Sequence, residues 1–157
     1  MYKPDYEPIL CAGRYEMTAS AFESRFVIGL GGEARPRIWQ ELKLHVLSKI
    51  AEYDIKCELW IDGSFITRCP EPDDIDGSLM VLSDVVEVIS DEAFAFLSMF
   101  DDSTPSFHKS LDIFLCQVYP KGHPLRGDMN DPDGWAKQWS GERNSDWLKG
   151  FVVIPFR

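Results

Sequence analysis

The chain has 157 residues, a formal net charge of −10, and 45% hydrophobic and 13% aromatic residues. That length fits one domain with a real core, and the composition excludes a disordered chain. An acidic surface repels phosphate backbones, so generic nucleic-acid binding by counterion release is excluded as a main activity.

Residues 1–17 carry two prolines and a glycine with no hydrophobic period, and read as an N-terminal arm ahead of a domain spanning 18–157. Lys3, Asp5, Glu7 and Arg14 are unlike a signal peptide, and no apolar run reaches the ~20 residues of a membrane span. Cys11, Cys57, Cys69 and Cys116 form no CxxC pair and have no matching histidine pattern. Cys57 and Cys116 sit in apolar runs and read as core thiols, so the expected compartment is a reducing cytoplasm.

Thr18 suits a helix N-cap, and residues 19–27 predict a short helix with Phe22 and Phe26 four apart. Gly29, Gly31 and Gly32 end it. Residues 33–53 predict a longer helix: Ile38, Leu42, Val46 and Ile50 recur at i+4, and Trp39 and Leu47 widen the stripe. His45 lies on it and reads as a surface or satisfied core histidine. Residues 57–61 (CELWI) predict a strand, and 75–82 (IDGSLMVL) a second. Residues 91–100 predict a helix with acidic residues in its first turn. Residues 111–119 predict a third strand, with His108 shortly before it. DPDG at 131–134 reads as a turn ahead of a short helix at 135–139, and Trp135, Trp139 and Trp147 as packing residues. Residues 151–156 (FVVIPF) predict a last strand, at an edge because Pro155 cannot donate to a ladder. This order predicts an α/β (α+β) single domain: one mixed β-sheet flanked by helices.

The loop between the first two strands holds the chemistry. Asp74 and Asp76 are two apart, so on a strand both carboxylates leave one face, about 6.5 to 7 Å apart. Such a pair repels unless a cation lies between, and Mg²⁺ suits one or two carboxylates with phosphate oxygens. Asp112 stands alone near the start of an apolar strand and needs a partner. If its strand adjoins the second, three acids could hold two metals for in-line phosphoryl transfer. Gly63 lets the backbone approach a ligand, and Ser64 offers a hydroxyl and an N–H to phosphate.

Gly63-Ser64 after one strand, Asp74-Ile75-Asp76 on the next and Asp112 on a later one resemble the nucleotidyltransferase superfamily typified by DNA polymerase beta. WIDGSFITRCPEPDDID is similar to the core of small nucleotidyltransferase-like proteins of bacteria and their phages. The ILCAGRYEMTASAFESRF leader and the Arg143…Lys149-Gly150 stretch before FVVIPF extend the likeness over the chain. The resemblance implies transfer of a nucleoside monophosphate from an NTP to a hydroxyl on protein, RNA or a small molecule. It implies Asp74, Asp76 and Asp112 as catalytic Mg²⁺ (or Mn²⁺) ligands, with Asp112 as base. Gly63, Ser64, Thr67, Arg68 and Lys149 would bind nucleotide, with Arg143 near phosphate or acceptor. Where members often carry a second Gly or Arg-Gly after the serine, this chain has Thr67-Arg68, Pro70 and Pro72; Gly77 replaces an apolar strand residue. The alternative is a catalytically weak or inactive binding protein on the same fold, an antitoxin or phage counter-defence factor whose acidic face meets a protein partner.

Overall fold

The helical stripe and the strands' inward residues share one core. The computed structural model describes residues 6–101, 108–127, 130–140 and 148–157. Thr18 caps α1 (Ala19–Phe22) by accepting from the Ala21 N–H at 3.1 Å, and the chain runs on through a π-helical segment, Glu23–Ile28. The long helix comprises α2 (Ala34–Leu42), a π-helical segment Lys43–Leu47, and α3 (Ser48–Glu52). Ile38, Leu42, Val46 and Ile50 are buried with Phe22, Phe26 and Trp39 against Leu59, Ile61, Ile75, Leu79, Val152 and Ile154. Each such side chain stabilises the fold by about 1.5–3 kcal/mol.

The strands are β1 (Gly13–Glu16), β2 (Cys57–Asp62), β3 (Ile75–Leu82), β4 (Leu111–Val118) and β5 (Gly150–Phe156). They form one mixed sheet in the order β1-β5-β2-β3-β4, the α+β single domain expected from the sequence. β2 runs antiparallel to β3 and β5, while β4 is parallel to β3 and β1 parallel to β5. A short helix α4 (Ser83–Val86), absent from the sequence reading, follows β3 and leads to α5 (Asp91–Ser98), capped by Ser90. On the other face α6 (Pro132–Trp139) places Trp139 against Trp60, Met80, Cys116, Phe151 and Val153.

Two expectations change. Gly13–Glu16, read as part of an arm, form an edge strand paired with β5. That pairing makes β5 internal rather than an edge. Pro155 is tolerated because β1 reaches only as far as Val153, leaving β5 flanked by β2 alone where the proline lies.

Candidate functional site

The loop that opens the site is held from three sides. β2 ends at Asp62 and the chain turns at Gly63, with φ +75° and ψ −166°. A Cβ there would lie 1.7 Å from Asp76 Oδ2, so the carboxylate rests directly on the glycine, and any side chain would displace it and strain the backbone. Ser64–Ile66 then make one turn of 3₁₀ helix. Within it Phe65 is buried and stacks on Phe22 at 6.0 Å, which anchors Ser64 from below. Arg35 of α2 is 1% exposed, and its guanidinium donates to the carbonyls of Phe65, Thr67, Cys69 and Pro70 at 2.6–3.3 Å. Burial lowers its pKa, while these four acceptors meet its donors. Glu71 closes the arrangement by accepting from the Glu33 and Ala34 N–H groups at the start of α2, at 3.3 and 3.0 Å.

The register then aligns the acids. Asp62 pairs with Asp76 across β2 and β3, and Asp76 with Asp112 across β3 and β4. Register partners share a face, so three aspartates form a row over three adjacent strands, on the side opposite the main helices. Asp74 lies one residue ahead of β3 with its Oδ1 shielded from solvent, and strand alternation places it on Asp76's side. Asp76 is half-buried and Asp112 exposed. Phe114, 36% exposed and two residues along β4 from Asp112, offers an aromatic surface beside the row.

Asp62 escaped the sequence reading. It closes an apolar run, and its importance depends on register with Asp76, which spacing along the chain does not reveal. Its partner is Lys149, just ahead of β5, whose Nζ is 3.1 Å from Asp62 Oδ1. Their side chains are 7% and 13% exposed, so Lys149 is a buried counter-charge at the end of the row. Arg35 was also missed, because its partners are loop carbonyls.

The other expected nucleotide contacts lie elsewhere. Thr67 is 2% exposed, and its hydroxyl donates to Ser64 O at 2.8 Å, closing the turn. Arg68 is exposed and pairs with Glu7 at 2.9 Å, tying the loop to the N-terminal segment. Arg143 and Trp147 lie outside the described residues. The four cysteines are thiols. Burial pushes Cys57 up to about 12 and Cys116 up to about 11, as expected of core thiols. Among the described residues no helix is long and apolar enough to cross a membrane.

Residues 3–155 match the family model described as "Family of unknown function (DUF6932)". No curated protein and no solved structure matches the chain.

Proposed function

We propose that this chain, which belongs to the DUF6932 family, is an Mg²⁺-dependent nucleotidyltransferase acting from the aspartate row. The observation that carries the reading is the register Asp62–Asp76–Asp112 beside a glycine where any side chain would displace the Asp76 carboxylate. At the ~4.8 Å strand spacing, and an effective dielectric of about 20, two such charges repel by up to about 3.5 kcal/mol. Solvent lowers the figure at Asp112. Lys149 pairs with Asp62, and the ligand set of this reading is Asp74, Asp76 and Asp112. These donors are all oxygen, which suits Mg²⁺ or Mn²⁺. When bound, such a cation neutralises charge developing on phosphate oxygens.

The chain's own residues supply the rest. Gly63 lets the triphosphate approach the backbone, and Ser64 donates its hydroxyl and N–H to phosphate oxygens. The acceptor hydroxyl loses its proton to Asp112, whose exposure leaves room for an incoming molecule. The acceptor oxygen bonds to the α-phosphorus as the bond to pyrophosphate breaks. Lys149, paired with Asp62, lowers the negative potential of the row. A reducing cytoplasm suits the four thiols.

The test is incubation with labelled NTPs, Mg²⁺ and cell lysate, comparing wild type with Asp74→Ala and Asp76→Asn. Labelling of an acceptor by wild type alone is expected. Equal labelling by all three proteins would rule the mechanism out.

A further inference from the structure

A second polar cluster lies on the helix-bearing side of the sheet, away from the aspartate row. Glu41 is on α2, and His45 lies four residues on, in the Lys43–Leu47 segment, so both leave the same side of the helix. His108 arrives from the chain just ahead of β4. His45 Nε2 and His108 Nε2 lie 3.2 and 3.4 Å from the same Glu41 Oε2. The imidazole rings are 5.4 Å apart, and one ligand atom from each of the three residues falls within 4.8 Å of the others. All three residues are half-buried.

We propose that Glu41, His45 and His108 form a site for a borderline transition-metal cation, with Zn²⁺ as its natural occupant. Zinc binds imidazole nitrogen and carboxylate oxygen at about 2.0–2.2 Å in a tetrahedron, whose edges are then about 3.3–3.5 Å. The 3.2 and 3.4 Å separations are close to those edges. Two nitrogens and one oxygen select zinc over Mg²⁺, which favours an all-oxygen shell. Three protein ligands leave the fourth position to water or an exchangeable group.

The same distances fit two imidazoles donating to one carboxylate oxygen, and the metal-free and metal-bound arrangements differ at His108. Its Nδ1 accepts from the Ser110 N–H at 3.3 Å, so its Nε2 carries the proton when no metal is bound. Metal at Nε2 moves that proton to Nδ1 and removes the acceptor. Zinc binding therefore releases the Ser110 N–H, next to the start of the strand that bears Asp112. Glu41 and His45 were legible as an i, i+4 pair, but His108 is far along the chain, and only packing of α2 against the start of β4 brings it in.

The experiment is calorimetric titration of the full chain with Zn²⁺, alongside the absorption spectrum of the Co²⁺-loaded protein. One tight equivalent should bind to wild type, roughly tenfold or more weakly to His45→Ala and to His108→Ala, and with unchanged affinity to Asp112→Asn, which alters only weaker binding at the aspartate row. Co²⁺-loaded wild type should show the intense visible bands of tetrahedral coordination. Absence of those bands would overturn the proposal whether or not the variants fold. So would zinc affinity unchanged in both histidine variants, which would place the ion on other groups such as exposed Cys11.

Discussion

The sheet face that carries the aspartates has two ends of opposite character. At one, Trp60, Met80, Cys116, Val118, Phe151 and Val153 pack under Trp139 as a closed apolar cluster. At the other, Asp62, Asp76 and Asp112 stand on the same strands, two to four residues away in the same alternation. Trp60 stacks on Phe151 at 4.8 Å and meets Trp139 edge-on at 6.3 Å. Strand alternation assigns a residue to a face but not to an end, and here the end separates apolar core from charge. Burial rewards the apolar end directly, at about 25 cal/mol per Å². The charged end sets carboxylates side by side with the Lys149 ammonium at one edge, an arrangement that apolar burial does not reward.

Substitutions at the two ends should part accordingly. Trp60→Ala removes the apolar cluster's central ring and should lower unfolding free energy by about 3–5 kcal/mol in urea melts. A loss below about 1 kcal/mol would mean the cluster is loosely packed. Asp76→Asn should differ. Stability should change far less than at Trp60, because the amide keeps the shape of the side chain, while transfer falls by about 10²–10³-fold, or 2.7–4 kcal/mol of barrier. A large drop in stability with transfer intact would invert the assignment of the two ends.

Gly63→Ala sharpens the boundary at the charged end. Its φ of +75° and the 1.7 Å clash with Asp76 Oδ2 predict a loss of about 1–3 kcal/mol by thermal melting, together with weakened Mn²⁺ binding by titration. Normal metal binding in that variant would show that the carboxylate does not need its place over the glycine. The smallest expected effect is chemical. Because burial raises the Cys116 and Cys57 thiols, both stay protonated near pH 8 and react poorly with iodoacetamide. Only exposed Cys11 should label in the native protein, and all four thiols after unfolding, counted by mass. Rapid native labelling of Cys116 would show that the apolar end opens.

How far the sequence reached follows the range of each interaction. The stripe Ile38, Leu42, Val46, Ile50 was legible because helical period is local, and β3 because turn residues bound its apolar run. Asp112 could be singled out because a lone charge in an apolar strand needs a partner. β1 escaped notice because GRYE has no alternation and its partner, from Gly150 onward, lies at the far end of the chain. The internal place of β5 was hidden for the same reason, since Pro155 argues for an edge until β1 is known to stop short of it. Arg35 went unremarked, because its four acceptors are loop carbonyls with no side-chain signature. Asp62 acquires meaning only from its register with Asp76 and its ion pair with Lys149.

The central claim is that the acids of β3 and β4, together with the Gly63-Ser64 turn, hold a metal–nucleotide pair. Thermal unfolding with each of the four NTPs, with and without Mg²⁺, measures this directly. At about 100 times its dissociation constant a bound NTP should add about 2.7 kcal/mol of stability. The gain should need NTP and Mg²⁺ together and disappear in Asp76→Asn and Asp112→Asn. A flat response to all four, or an equal gain in both variants, would contradict it.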